Sequence, residues 1–233
     1  MVNTMTSPLE GLKTSRIVTS LQQLGYAGTF MTGVRPVTPA ASFVGRARTL
    51  RLLPTRPDVV KTMQADRTKN PNRVAVDQTR PGDVLVIDAR GVTNHSVGGD
   101  PFAARVKAAG GVALVTDGAV RNLPGLVALN FPIYAQGVHA SSLGNAHIGV
   151  AVNEPIACGG VLVLPGDVVV GDAEGVVVVP ADLEQQVADM SRASEALDAF
   201  SIEMILAGHG LDDAYPPNET LRAQFEARQA ETR

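Results

Sequence analysis

The segment Pro81-Gly82-Asp83-Val84-Leu85-Val86-Ile87-Asp88-Ala89-Arg90-Gly91 returns, nearly residue for residue, as Pro165-Gly166-Asp167-Val168-Val169-Val170-Gly171-Asp172-Ala173-Glu174-Gly175. In each copy a Pro-Gly-Asp turn launches a valine-rich strand, and an Asp-Ala-x-Gly turn ends it. A chain with both copies sends two matching strands into one β core, and Asp83 and Asp167 read as turn-capping residues. Between the copies the expected order is a strand over 84–87, a glycine loop, a helix over 101–109, a strand over 112–116, a short helix and a strand over 133–136. This alternation implies an α/β fold, a layered α/β/α arrangement around a central β core.

The flanks are simpler. Leu9, Leu12, Ile17, Leu21 and Leu24 recur at near-helical spacing before Gly25, which predicts an amphipathic helix over 8–25. Residues 43–53 read as a strand whose Arg46, Arg48 and Arg51 form a solvated face or, alternatively, a site. Residues 54–80 are polar and read as a surface connection with one short helix near 59–65. After Pro180 a long amphipathic helix is expected, with Leu183, Val187, Met190, Ala193, Leu197, Phe200, Met204 and Ile205 on one stripe. Beyond Gly208 the chain reads as a terminal extension able to embrace a neighbouring subunit. The whole, 1–233, is expected to be a single domain, with its core at 43–180 and its C-terminal helix and tail at 181–233.

Composition excludes several classes. At 233 residues the chain is long enough to bury a core without disulfides or structural metal. A net charge of −3 gives no long-range pull toward nucleic acid or an anionic membrane, so neither is expected as a partner. The single cysteine, Cys158, lies among small apolar residues and reads as a packed side chain. No charged-then-apolar leader opens the chain, and no run reaches the ~20 apolar residues of a membrane span, so a cytoplasmic protein is expected. The histidines at 95, 139, 147 and 209 lack metal-ligand spacing; His139 and His147 flank a loop and read as surface residues that could line a pocket.

The residues most able to carry chemistry are Gly98-Gly99-Asp100-Pro101 and, twenty residues on, Arg121-Asn122. Two glycines let backbone amides approach a ligand, Asp100 suits a helix N-cap, and Pro101 suits the first helical turn. A helix N-terminus stabilises a small anion, and an arginine guanidinium holds a carboxylate through two parallel hydrogen bonds.

With Val112-Ala-Leu-Val-Thr-Asp-Gly-Ala-Val-Arg-Asn122, Pro155-Ile-Ala-Cys-Gly-Gly160 and the stretch 165–180, these segments resemble the RraA-like superfamily. That group includes the class II pyruvate aldolases acting on 4-hydroxy-4-methyl-2-oxoglutarate and 4-carboxy-4-hydroxy-2-oxoadipate, and the regulator of ribonuclease activity A. The resemblance runs from about residue 9 to 215 and implies a swivelling β/β/α-type fold assembled as a homotrimer or a homohexamer. It implies that a pyruvoyl group is held by amides of the loop Gly99, Asp100, Pro101 and Phe102 and by Arg121, with Asp100 acting near a metal through water. It implies a divalent ion, Mg2+ or Mn2+, bound by an aspartate directly after that arginine. Here Asn122 stands in that place, and a neutral amide is a weaker magnesium contact than a carboxylate. The resemblance also implies a carboxylate from a neighbouring subunit's C-terminal helix, for which Glu195 and Asp198 are the candidates; a solvated helix face is the alternative.

Three functions follow as expectations. The first is a metal-assisted lyase that cleaves a small 2-oxo acid by retro-aldol release of pyruvate or by decarboxylation of oxaloacetate. The second is a binding or regulatory protein whose metal site has degenerated at Asn122. The third is a related enzyme with an altered reaction, such as dehydration of a sugar-derived acid.

Overall fold

The structure, a computed structural model, describes residues 7–39, 42–143 and 146–231. The N-terminal residues read above for a leader, and Gly144 and Asn145 of the loop between His139 and His147, therefore lie outside the described residues. The chain opens with α1 (Thr14–Gln23), β1 (Arg35–Pro36), the long β2 (Phe43–Pro54), α2 (Pro57–Ala65), α3 (Pro71–Asp77) and β3 (Asp83–Asp88). Its middle holds β4 (Ser96–Gly98), α4 (Asp100–Ala108), β5 (Ala113–Thr116), β6 (Ala119–Val120), α5 (Leu123–Ala128), β7 (Ile133–Ala135) and β8 (Gly137–Val138). Then come β9 (His147–Val152), β10 (Ile156–Cys158), β11 (Val161–Val163), β12 (Val168–Asp172), β13 (Gly175–Val179), α6 (Glu184–Leu206), α7 (Leu211–Ala214) and α8 (Glu219–Glu231).

The central sheet runs β1-β7-β5-β3-β2-β12-β13, and β9 also pairs with β2. β2 is the hub. It pairs in parallel with β3 and antiparallel with β12, so the two Pro-Gly-Asp strands lie on either side of it. The sheet nearly closes on itself. Thr29 and Met31 exchange backbone bonds with Val178 and Val176 of β13 at 2.9 Å, and a few residues later β1 pairs with β7 at the opposite edge. One short stretch thus covers both sheet edges, which leaves no long unpaired edge there.

Both faces of the strands are covered, which explains why they read as continuous apolar runs and not as alternating ones. Within β3, Val84 and Val86 belong to the interior cluster with Phe43, Val115, Tyr134, Val169 and Val178. Leu85 and Ile87 point the other way, into the layer with Val106 and Leu126 of α4 and α5. The outward valines Val168, Val170, Val177 and Val179 meet Ile17 and Leu21 of α1 and Val187 of α6. Fully burying a valine or leucine is worth about 1.5–3 kcal/mol, so these three layers dominate stability. At Gly45 of β2 a Cβ would lie 2.5 Å from the Gly82 carbonyl oxygen, so only glycine lets β2 pass the first Pro-Gly-Asp turn this closely.

Both turn aspartates act as expected. Asp83 accepts from the Arg80 amide and Asp167 from the Leu164 amide, each at 2.8 Å, the same three-residue reach in both copies. Other expectations are corrected. The first helix begins at Thr14, because Pro8 and the left-handed Gly11 (φ 79°) make a separate turn that still buries Leu9 and Leu12. The polar connection holds two helices, and α3, started by Asn70 Oδ1 capping the Asn72 amide, buries Ala75 and Val76. The arginines of β2 do not form one solvated face: Arg46 is exposed and pairs with Glu184, Arg48 is buried against Asp83 at 3.0 Å, and Arg51 bonds to the Pro155 carbonyl. The stripe of α6 breaks at Ala193, which is exposed. The tail forms α7 and α8 and folds back on α6, with Phe225 5.5 Å from Phe200 and Leu221 buried.

Candidate active site

A second, smaller sheet sets the site. β4, β6 and β8 lie side by side in parallel, in the order β4-β6-β8, so all three run out at the same edge. β4 leads into Gly99 and Asp100, β6 into Arg121 and Asn122, and β8 into His139. Backbone bonds hold the edge together: the Arg121 amide donates to the Gly98 carbonyl at 3.1 Å and the His139 amide to the Val120 carbonyl at 2.9 Å. The carboxyl edge of parallel strands is where open α/β folds bind ligands. Asp100 and Arg121, with twenty residues between them in sequence, are thus brought together by strand pairing.

Gly99, not Asp100, is the N-cap of α4, with an extended backbone at φ −135° and ψ −163°. Asp100 is the first helical residue, where its charge complements the helix dipole. Glycine is used at 99 for space: a Cβ there would meet Arg121 Cγ at 3.2 Å, so the arginine stem lies across the loop. The expectation that the whole loop offers amides is also corrected. Pro101 has no N–H, and the Phe102 amide donates to the Gly99 carbonyl at 3.1 Å, so the loop's candidates are the amides of Gly99 and Asp100.

Arg121 is half-buried, and among the described residues no carboxylate lies within ion-pair distance of it. Asn122 takes the left-handed conformation (φ 60°, ψ 46°) that asparagine tolerates. Its Nδ2 donates to Asp100 Oδ1 at 2.7 Å. On the other side Asp100 Oδ2 overhangs Gly125, where a Cβ would lie 2.7 Å from it. Asp100 is therefore held between the Asn122 amide and the first turn of α5.

Gly99, Pro101, Phe102 and Arg121 wall a cleft of about 480 Å³ that continues toward α3. A larger cavity of about 750 Å³ lies elsewhere, among Ser7, Phe43, Val170 and the Arg46–Glu184 pair. It gathers the amino ends of β2, β3, β5 and β7 and not carboxyl ends, and besides the exposed Glu10 its charges, Arg46 and Glu184, pair with each other. A third, of about 520 Å³, contains Asp88 and Asp117. Asp117 accepts from the amides of Ala89 (2.6 Å) and Gly91 (3.1 Å), and burial pushes its carboxyl up. The cleft at Arg121 is the better candidate because an unpaired cation and a helix start converge there.

The remaining candidates are placed as follows. Glu195 Oε1 accepts from the Lys13 amide at 3.0 Å and Asp198 pairs with Arg16, so both meet the segment around α1 of their own chain. His139 Nδ1 accepts from the Ser141 amide at 3.1 Å, with its ring 6.1 Å from His95. His147 is not a surface-loop residue: it is 2% exposed, with Nδ1 3.2 Å from the Arg90 guanidinium. Burial first, then Arg90 and His95, push its pKa down. Cys158 is fully buried as expected, and burial raises its thiol well above the ordinary value, so it is no nucleophile. Sequence reasoning missed Ser96 and Asn72, which line the Arg121 cleft and carry buried oxygens, Ser96 Oγ and Asn72 Oδ1, with no hydrogen-bond partner among the described residues. Nothing in the local sequence marks either.

Residues 14–178 match the RraA-like family, described as Aldolase/RraA, which is most of the chain. The chain belongs to the RraA-like family. A Halalkalibacterium halodurans protein bearing the provisional name 4-hydroxy-4-methyl-2-oxoglutarate aldolase is 40% identical over 124 residues, 53% of this chain and 59% of that protein. The protein DlpA of Legionella pneumophila is 25% identical over 200 residues, 86% of this chain but 31% of its own length. The chain thus spans a third to three fifths of the length of these curated relatives. Among solved RraA-like folds, Streptomyces coelicolor RraAS2, described as an unusual member of the RNase ES inhibitor RraA family, superposes with a TM-score of 0.74 at 30% identity, covering 83% of this chain and 93% of that one. A Pseudomonas syringae pv. tomato protein of uncharacterised function gives 0.76 at 28% identity, covering 89% and 94%. The α/β fold is the fold of RraAS2. No described helix is long and apolar enough to cross a membrane.

Proposed function

We propose that this RraA-like protein is a carbon–carbon lyase acting on a small 2-oxo acid. The observation that carries the reading is Arg121, a guanidinium without a carboxylate partner among the described residues, laid over the helix start at Gly99 and Asp100. In this reading Arg121 binds the C1 carboxylate in two parallel hydrogen bonds. The amides of Gly99 and Asp100, with the helix dipole behind them, face the 2-oxo oxygen, which gains negative charge as the enolate forms. The Asp100 carboxylate takes the proton of the C4 hydroxyl through a water molecule. The C3–C4 bond then breaks, its electron pair enters the enolate, and protonation at C3 gives pyruvate. With oxaloacetate the departing group is carbon dioxide instead.

The divalent ion implied by the family does not fit the donors of one chain. One oxygen of Asp100 is already bonded by Asn122, the cleft's other carboxylate among the described residues, Asp77, is engaged by Arg105, and the described residues contain no group of three acidic, histidine or cysteine side chains placed to hold a metal. A neighbouring subunit's Glu195 or Asp198 remains the proposed source of a further carboxylate, in a homotrimer or homohexamer. The exposed Ile202, Leu206 and Leu211 around the end of α6 support such association.

A second reading, a binding or regulatory protein, is favoured by one observation: Asn122, a neutral amide where the resemblance implies a metal-binding aspartate, spends its Nδ2 on Asp100 Oδ1. Assays with oxaloacetate and 4-hydroxy-4-methyl-2-oxoglutarate, with and without magnesium, test the lyase. Pyruvate release from either supports it; no turnover together with no pyruvate binding contradicts it. Pyruvate binding without turnover selects the second reading.

A further inference from the structure

Arg73 and Asp77 stand four residues apart on α3, the spacing at which an arginine and an aspartate ordinarily pair across one helical turn. Here they do not. Asp77 is turned to α4, where its Oδ1 meets Arg105 Nε at 3.1 Å. Arg73 is left exposed, with no hydrogen bond or ion pair among the described residues. Both residues line the cleft at Arg121, so two unpaired guanidiniums reach it from different elements, Arg121 from the end of β6 and Arg73 from α3. The wall that joins them is apolar. Phe102 lies one turn into α4 from Gly99, Val76 lies one turn along α3 from Arg73, and both belong to a cluster that also takes in Val97. The cleft volume, about 480 Å³, is in the range of pockets that bury drug-sized ligands, which leaves room for a ligand that reaches both arginines.

From this we infer that Arg73 is a specificity-determining residue, which holds a second carboxylate carried by the leaving half of the substrate. The inference rests on the reading that Arg121 holds the C1 carboxylate, and it narrows the substrate to a 2-oxo diacid whose two carboxylates are separated by an aliphatic linker lying along Val76, Val97 and Phe102. A guanidinium matches a carboxylate through two parallel hydrogen bonds, but solvent screens the attraction of an exposed one. Arg73 therefore supplies selectivity between acids and not the bulk of the affinity. It takes no part in bond-making: C3–C4 breaks, the C4 hydroxyl loses its proton to become the carbonyl of the leaving fragment, C3 gains a proton, and the second carboxylate departs unchanged. No oxidant or reductant is involved.

Binding, separated from turnover, tests the assignment. Calorimetric titration of the full chain with 2-oxooctanoate and 2-oxooctanedioate compares one carboxylate with two at equal length, and 2-oxoglutarate supplies both carboxylates on a shorter linker. The long diacid is expected to bind about fivefold more tightly than the monoacid, and about tenfold more tightly than 2-oxoglutarate because its extra methylenes are buried. In Arg73→Gln the ratio of diacid to monoacid affinity is expected to fall to about one, and in Arg73→Glu, where like charges meet, to below one. Arg73 is exposed and unpaired, so thermal unfolding is expected to show both variants folded. A ratio near one in the natural chain, a ratio that survives in Arg73→Glu, or 2-oxoglutarate binding as tightly as the long diacid overturns the inference, while pyruvate release from 4-hydroxy-4-methyl-2-oxoglutarate decides the lyase reading separately. If the Arg73-dependent preference is present and no 2-oxo acid is cleaved, the lyase reading falls and the role of Arg73 stands. If no acid binds, both fall.

Discussion

Asn122 Nδ2 donates a hydrogen bond to Asp100 Oδ1 at 2.7 Å, joining the residue after the strand-end arginine to the first residue of α4. Two carboxylates at this separation would repel each other and call for a cation between them; an amide and a carboxylate satisfy each other directly. The pair thus fixes Asp100 without metal and removes one of its lone pairs from any other use. It is the clearest difference between this site and the one the family resemblance implies.

Asn122→Asp should therefore create a demand for a cation. The variant is expected to bind magnesium or manganese at least ~10-fold more tightly than the natural chain, since a second anionic oxygen replaces a donor N–H. Titration calorimetry with each metal alone reads this directly. Equal affinity in both proteins would mean that residue 122 does not face the ion.

Gly125→Ala separates stability from function. Alanine is favoured over glycine inside a helix by about 1 kcal/mol, yet the new Cβ would sit 2.7 Å from Asp100 Oδ2. The carboxylate must shift, and its bond to Asn122 is strained or lost. The expected outcome is an unchanged or slightly higher melting temperature together with a fall in 2-oxo acid turnover of about 10-fold or more. Thermal unfolding and steady-state kinetics on the same preparation check both halves.

His147 predicts a pH dependence of stability. Its folded-state pKa lies below the ordinary value of 6.5, chiefly because it is buried and then because Arg90 and His95 disfavour the cation. The unfolded chain therefore binds the proton more readily. The stabilisation is present above the unfolded pKa and is lost as pH falls through the folded one. His147→Gln is expected to flatten the decline in melting temperature as pH falls below about 6.5, the unfolded value. An unchanged slope would assign the decline to other groups.

Much of the fold could be read from sequence because it rests on local chemistry. The two Pro-Gly-Asp turns, the valine strands and the helix start beside Gly99 each follow from residues adjacent in the chain. The closure of the sheet by residues 29–36 could not be read, since Phe30 and Arg35 give no sign of pairing with opposite edges. Arg48 and His147 were misplaced for a related reason: polar side chains are buried when a distant partner meets them, here Asp83 and Arg90. At the site, Asp100 and Arg121 were legible through their spacing, whereas the loss of the Phe102 amide to the Gly99 carbonyl needed the backbone geometry. Ser96 and Asn72 were invisible because an unsatisfied oxygen is a property of the packed fold alone.

The central claim is that the Arg121 guanidinium holds the carboxylate of a 2-oxo acid for carbon–carbon cleavage. The most direct measurement is the rate of pyruvate release from 4-hydroxy-4-methyl-2-oxoglutarate by the natural chain and by Arg121→Lys, with magnesium present. Lysine keeps the charge but not the two parallel hydrogen bonds, so kcat/KM is expected to fall by about 100-fold or more. Equal rates for the two proteins, or no pyruvate release by the natural chain, would contradict the account.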